Sequence, residues 1–286
     1  MLTALVTGIA AGALYAAAAL VYNVMFSTSK VLSVTTGHLS MLGGVFGAWL
    51  MAGLGWPLPL ALAGAVLIGA AFGMATEWIA IRRVLARSDE HLWLLSTLAL
   101  ATMLQQGVAL WWGTEPKPFP RLIPQDFSAG LADQKYWLPV AIALLLALGL
   151  ELFYRRTLYG KLFVAMSEDA FAARARGIPT DLIRSLSYAL AGGMGALAGF
   201  AAGQLTFAYF ALGLTLTLNG FVALAVGGLG SNLGALVGGL LLGVIGAFAT
   251  YFLGGEYQQT IAVGLLMVVL LVKPAGLFGS ASIRPV

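Results

Sequence analysis

Long runs of apolar residues, separated by short polar or charged intervals, make up most of this chain. Residues 1–29 contain no charged side chain, and residues 185–255 contain none either. A helix needs about 20 apolar residues to cross a hydrocarbon core. The first run therefore predicts one membrane span, and the second is long enough for three.

Glycine and proline divide the other apolar runs. Gly53, Gly55, Pro57 and Pro59 predict a turn that splits residues 31–76 into two spans. Further spans are predicted at 91–114, 136–154 and 257–272, and breaks inside the longest run at 207–213 and 227–234. The pattern predicts an all-α polytopic membrane bundle with eight or nine transmembrane helices, in a single domain over residues 1–286.

Composition supports a membrane location and narrows the function. Hydrophobic residues are 60% of the chain and charged residues 9%, against about 25% charged in soluble domains. The 37 glycines suit helices whose backbones approach closely. There is no cysteine and no basic groove with interleaved aromatic residues, so no thiolate metal site and no nucleic-acid partner are expected.

Basic residues concentrate in one interval, residues 155–184, and indicate the orientation of the chain. Six of the 15 Lys and Arg residues fall there: Arg155, Arg156, Lys161, Arg174, Arg176 and Arg184. Basic loops are retained in the cytoplasm. We therefore expect this loop, the mixed loop 77–90 and the C-terminus to be cytoplasmic, and the N-terminus and the proline-rich loop 113–135 to be outside.

Two polar segments interrupt the apolar runs in opposite halves of the chain. One contains Thr35, Thr36, His38 and Ser40, and the other contains Asn219. On this topology they lie on spans of opposite direction, which is the pattern of an inverted repeat with a midplane site. The predicted substrate pathway comprises Thr35, Thr36, Gly37, His38, Ser40, Asn219 and Gly220. Helix-to-helix hydrogen bonding is the alternative role for these side chains.

The basic loop contains the signals of one short helix over residues 167–176. Ser167 is a candidate N-cap, and Glu168 and Asp169 place negative charge at the positive end of the helix dipole. Gly177 and Pro179 end it.

Several function classes lack the residues that they require. There is no nucleotide-binding P-loop motif, no His and acidic cluster for a metal, and no acid or base in the middle of an assigned span. An intramembrane enzyme would also lack a nucleophile with its base. Energy for active transport would have to come from another subunit.

The sequence resembles the permease subunits of branched-chain amino acid-type ABC importers over nearly its whole length. R-R-T-L-Y-G-K-L-F-V-A-M-S-E-D-A-F-A-A-R-A-R-G-I is similar to that family's cytoplasmic loop. G-F-V-A-L-A-V-G-G-L-G-S-N-L-G-A-L-V-G-G and V-K-P-A-G-L-F-G are similar to its second-half and closing motifs. The chain departs from the family at Thr36, His38 and Asn219, where His, Glu and Lys are usual.

The resemblance implies a transport role with several partners. By correspondence, Glu168, Asp169, Ala173, Gly177 and Ile178 belong to the segment that contacts the ATPase. Phe171 and Ala175, four residues apart, share a face of the predicted helix. The implied partners are a second, homologous permease in a heterodimer, two cytoplasmic ATPases that bind ATP and Mg, and a periplasmic solute-binding protein. This chain itself is expected to bind no cofactor.

The predicted function is that of the permease subunit of an ATP-driven importer in a bacterial inner membrane. Its solute would be a branched-chain or other amino acid, or a related small carboxylate or amide. The alternative is a passive channel or facilitator that uses the same polar segments. A channel needs no ATPase, so co-purification distinguishes the two.

Overall fold

The computed structural model describes residues 1–85, 92–120 and 133–279, and within them the regular structure is helical. The helices are α1 Leu2–Ser29, α2 Thr36–Ala48, α3 Leu58–Thr76, α4 Arg82–Leu85, α5 Leu92–Trp112, α6 Gln134–Arg156, α7 Leu158–Glu168, α8 Ala170–Ala175, α9 Thr180–Leu205, α10 Leu212–Gly227, α11 Asn232–Leu253 and α12 Gln258–Val272. Helix α2 continues into a π-helical turn, Trp49–Gly53, and α3 into another, Glu77–Ile81.

The predicted membrane bundle is confirmed. Within the described ranges, seven helical segments are long and apolar enough to cross a membrane, and α10 is a shorter apolar helix. The predicted turn between α2 and α3 and the breaks on either side of α10 are also found. The sequence interpretation was wrong at Glu77, which was expected to begin a loop. Glu77 is helical and fully buried, while residues 86–91 of that loop lie outside the described part.

Glycines allow α1 and α11 to pack backbone against backbone. Gly8 and Gly12 of α1 face Gly239 and Gly243 of α11, and a Cβ added at any of the four would overlap main-chain atoms of the other helix. Each pair has the G-x-x-x-G spacing, which places both glycines on one face of a helix. This contact joins the first helix to one near the end of the chain.

The same arrangement joins α3 to α9. Gly69 and Gly73 of α3 pack on Gly192 of α9, where an added Cβ would again overlap the facing main chain. The pair α3–α9 is thus the counterpart of α11–α1. Helices α1, α2 and α3 correspond in order and packing to α9, α10 and α11, with each helix running in the opposite direction. This is the order and packing that an inverted repeat produces, and the inverted repeat that the two polar segments suggested stays a prediction.

Charged residues separate the bundle into two unlike ends. The ends of α1, α3, α6 and α12 and the segments α7 and α8 lie together, and the Lys30 ammonium donates to the Ser167 carbonyl at 2.6 Å. We call this the basic end; it carries Lys30, Arg82, Arg83, Arg155, Arg156, Lys161, Arg174, Arg176, Arg184 and Lys273. At the other end, Lys117 pairs with Ala208 through two backbone hydrogen bonds.

Candidate functional site

The chain enters α2 through a short non-helical segment that ends in a turn and contains hydrogen-bonded hydroxyl groups. The hydroxyls of Ser33 and Thr35 lie 2.7 Å apart, and the Thr36 hydroxyl donates to the Ser33 carbonyl at 2.8 Å. All three side chains are fully buried. The hydroxyls of Thr35 and Thr36 thus bond within this segment without capping α2, and their polar groups face protein instead of lipid.

The starts of α2 and α10 meet inside the bundle. The backbone N–H of Gly37 donates to the Thr217 hydroxyl at 3.2 Å, and that hydroxyl lies 3.3 Å from the Val34 carbonyl. A Cβ at Gly37 would overlap the Gly213 carbonyl oxygen. Only glycine allows this approach of the two helix N-termini, which both carry partial positive charge.

His38 and Ser40 retain polar atoms that have no partner. His38 is only 2% exposed, and its Nε2–H donates to Oε1 of Gln105 on α5 at 3.3 Å. The Nδ1 atom of His38 and the hydroxyl of Ser40 are buried and unpaired within the described residues. A buried polar atom without a partner costs about 1–3 kcal/mol, so these two atoms leave hydrogen-bonding capacity unused beside the start of α2.

Asn219 and Gly220 lie on α10 but have different surroundings. The Asn219 amide donates to the Thr215 carbonyl one turn earlier at 3.0 Å, and its side chain is buried. Gly220 packs against Ala18 of α1, where an added Cβ would lie 2.7 Å from the Ala18 Cβ. Asn219 therefore bonds within its own helix, in the middle of α10, whereas Gly220 provides helix packing.

A stripe of polar side chains lies on the surface beside His38. It consists of Thr102, Gln105 and Gln106 on α5, and we call it the polar stripe; Thr215 on α10 is a further exposed hydroxyl residue. Thr102, Gln106 and Thr215 are exposed and Gln105 is half-buried. Residues three and four apart share a face of a helix. An amide that faces lipid without a partner costs several kcal/mol, roughly, so this face is unsuited to lipid.

The segment predicted to contact an ATPase consists of two helices. Ser167 was expected to cap one helix over 167–176, but this is wrong: Ser167 and Glu168 belong to α7. The cap of α8 is Asp169, whose carboxylate accepts from the N–H groups of Phe171 and Ala172 at 2.8 and 2.9 Å. Helix α7 continues through Ser167 because Phe163 and Met166 pack on Ile183 of α9.

Helix α8 ends at Ala175, one residue before the predicted end at 176, and presents its apolar side chain outward. Gly177 adopts φ +83°, and the Ile178 N–H donates to the Ala173 carbonyl at 3.1 Å, as in a Schellman cap. Ala173 is buried, while Phe171 is 84% exposed and Ala175 is exposed as well. Phe171 and Ala175 thus form a free face on a short helix that is capped at both ends.

The position of Lys30 ties this region to the first helix. Lys30 ends α1 with a left-handed φ of 57°, and its ammonium reaches the main chain of α7. Partial burial lowers the pKa of the Lys30 ammonium. The end of α1, just before the polar segment 33–40, is therefore fixed to α7.

Comparison with known proteins decides the family. The sequence model of the family described as "Branched-chain amino acid transport system / permease component" matches residues 4–271. The chain belongs to this permease family. It is a polytopic permease component of a transport system.

Relatives of the permease match it almost end to end. The high-affinity branched-chain amino acid transport system permease protein LivH of Escherichia coli (strain K12) is 30% identical over 298 aligned positions, covering 98% of the permease and 96% of LivH. BraD of Pseudomonas aeruginosa is 29% identical, covering 99% and 97%. LsrC of Salmonella paratyphi B, an autoinducer 2 import system permease, is 28% identical, covering 83% and 67%.

A solved structure has the same fold at low sequence identity. PsaBC from Streptococcus pneumoniae in complex with Fab aligns with a TM-score of 0.55 and 13% identity, covering 95% of the permease and 91% of that chain. At this identity the likeness concerns the fold alone.

Three residues near the start of α2 were missed in the sequence. Gln105 and Thr217 hold His38 and Gly37, and the Tyr22 hydroxyl donates to the Thr217 carbonyl at 3.2 Å. The signal for Gln105 was available, because Gln105 and Gln106 stand together near the middle of an apolar span. Thr217 and Tyr22 gave no signal that separates them from ordinary helix residues.

Proposed function

We propose that the permease is a membrane subunit of an ATP-driven importer that takes up a small polar solute. The observation that carries this proposal is α8: a short helix, capped at both ends, at the basic end of the bundle, with Phe171 free. An exposed aromatic side chain on a rigid support is the type of residue that anchors a protein interface. Its partner would be the ATPase, which binds the ATP and Mg.

The orientation in this proposal follows from charge. The basic end carries ten Lys and Arg residues among those described, and basic loops stay in the cytoplasm. The N-terminus would then be outside and the C-terminus inside a bacterial inner membrane. Residues 155–184 would form the cytoplasmic coupling loop of a single transmembrane domain, residues 1–286.

The polar stripe supports a second permease subunit. Thr102, Gln106 and Thr215 are exposed on apolar helices, and the amide of Gln106 would be unpaired in lipid. A homologous permease that packs against α5 and α10 would enclose them in a path between the two subunits. Behind the stripe, that path would be lined or supported by Thr36, Gly37, His38, Ser40 and Asn219.

The solute class follows from chemistry and from relatives. The N-termini of α2 and α10 favour a negative group, and the unpaired His38 and Ser40 atoms suit hydrogen-bonding groups. LivH and BraD are named for branched-chain amino acids. We propose an amino acid or a related small carboxylate or amide, delivered by a periplasmic binding protein, with no cofactor on this chain.

The test is reconstitution of the permease with its candidate partners. The permease would be expressed with the two ATPases and the second permease encoded beside it, purified in detergent and placed in liposomes. We expect the ATPases to co-purify and solute uptake to require ATP and the binding protein. Uptake by the permease without ATPases or ATP would contradict the proposal and favour a passive channel.

A further inference from the structure

A buried carboxylate lies at the end of α3, outside the substrate pathway. Glu77 begins the π-helical turn and is fully buried. Its Oε1 accepts from Nε of Arg184 at 2.9 Å, and its Oε2 lies 3.2 Å from Nη2 of Arg82. The Ser185 hydroxyl donates to Oε2 at 2.8 Å. Glu77 thus joins the end of α3 to the first turns of α9.

Arg184 continues these contacts toward α8. While its Nε bonds to Glu77, its Nη2 donates to the Asp181 carboxylate at 2.7 Å. Arg174 of α8 lies 3.6 Å from the same carboxylate and donates through Nε and Nη2 to the Thr180 hydroxyl at 3.0 and 2.8 Å. A continuous chain of polar contacts therefore runs from α8 to Glu77.

Helix α9 extends this connection to the substrate pathway. Beyond its first turns, α9 packs on α3 through Gly192 and on α2 through Gly199, where an added Cβ would overlap the Ser40 carbonyl. Helices whose backbones pack this closely cannot move independently, so a displacement of one is transmitted to the other. Movement of α9 would therefore shift the start of α2.

The polar contacts that connect α8 to Glu77 differ in strength. Glu77 is buried and Arg184 is only 11% exposed, and removal of one partner from a buried pair leaves an uncompensated charge. Arg174 and Asp181 are both mostly exposed, and such a pair contributes little stability by itself. The Glu77–Arg184 ion pair is therefore the stronger contact. The Arg174–Asp181 pair, nearer the surface, is the weaker one.

We propose that Glu77 is a positioning residue that locks α3 to the α8–α9 corner, so that displacement of α8 by the ATPase reaches the start of α2. This inference rests on the proposed function and assigns a role that the solute-binding residues do not have. It requires that the Glu77–Arg184–Asp181–Arg174 chain affect transport per ATP hydrolysed, and not only the amount of folded protein.

The experiment measures solute transported per ATP hydrolysed by the reconstituted complex. Glu77→Gln keeps the shape of the side chain and removes its charge. We expect intact assembly and basal hydrolysis but a lower ratio, by between about twofold and thirtyfold, the range for residues along a coupling network. Asp181→Asn, at an exposed site that folding tolerates, should lower the ratio about twofold because exposed pairs are weak.

The matched control is Glu151→Gln. Glu151 also pairs with an arginine at the basic end, Arg155, but both side chains are largely exposed and lie on α6, outside the chain of contacts. We expect this variant to keep the wild-type ratio. A loss as large as that of Glu77→Gln would mean that any charge change at this end reduces transport, and would overturn the proposal.

The remaining outcomes are also decisive. An assembled Glu77→Gln complex with the wild-type ratio would overturn the proposal. If Glu77→Gln does not assemble, the variants Asp181→Asn and Arg184→Lys test the proposal instead. Lys keeps the positive charge of Arg184 but lacks the guanidinium fork that joins two carboxylates. Unchanged transport per ATP in both variants would overturn the proposal. Failure of the wild-type permease to bind ATPases would instead contradict the proposed function.

Discussion

The backbone N–H of Gly37 donates to the hydroxyl of Thr217, 180 positions later in the chain, at 3.2 Å. This bond holds the first turn of α2 against the second turn of α10, the two short apolar helices whose starts meet inside the bundle. It depends on a glycine, because a Cβ at position 37 would overlap the Gly213 carbonyl and the Thr217 main chain.

Gly37→Ala should therefore destabilise the permease. Insertion of a methyl group into a packed site costs about 1–3 kcal/mol, so we expect a lower Tm and less uptake per folded molecule. The matched control is Gly149→Ala on α6, where an added Cβ meets nothing within 4 Å. That variant should be neutral in a thermal-shift assay, and an equal loss in both would contradict the role of Gly37.

Replacement of Gln105 by Leu should reduce uptake more than it reduces folded protein. It leaves Nε2 of buried His38 without its partner, a loss of about 1–3 kcal/mol.

We expect His38→Leu and Asn219→Leu to impair uptake as well, measured against protein amount in the membrane. Wild-type uptake in both of these Leu variants would place the solute path elsewhere.

The orientation is testable because the chain contains no cysteine. Ala172→Cys on α8 and Glu115→Cys beyond α5 are exposed positions at opposite ends of the bundle. An impermeant thiol reagent on intact cells should label position 115 and not 172, and inside-out vesicles should give the reverse. Labelling of position 172 from outside would invert the orientation.

Gly177→Val should disturb the end of α8 by backbone strain. Gly177 has φ +83° with nothing within 4 Å of an added Cβ, so the cost comes from the left-handed conformation, about 1–2 kcal/mol for a non-glycine residue. Gly177→Asn should be milder, because Asn tolerates this conformation. Transport per ATP should fall in the order glycine, asparagine, valine, and equal ratios would show that this cap has no part in coupling.

The sequence predicted the membrane helices well, because the apolar blocks and their glycine and proline breaks are local signals. It misplaced the cap of α8, since Ser167 and Asp169 are both good N-cap residues. The choice depends on the packing of Phe163 and Met166 under α7. Glu77 was assigned to a loop because its partner Arg184 lies 107 positions away. Thr217 was missed for the same reason, because its role arises only from tertiary contacts, whereas Gln105 was overlooked although amides near the middle of an apolar span are a visible signal.

The most direct measurement is ATPase binding and solute-stimulated hydrolysis by the Phe171→Ala complex, compared with Leu158→Ala. Both residues are highly exposed at the basic end, but only Phe171 is on α8. Loss of a buried interface anchor costs about 2 kcal/mol or more, which is about thirtyfold in affinity. We expect Phe171→Ala to insert normally, to bind the ATPase about thirtyfold more weakly and to lose stimulated hydrolysis, with Leu158→Ala unchanged. A Phe171→Ala complex that holds its ATPase with normal coupled activity would contradict the role of α8.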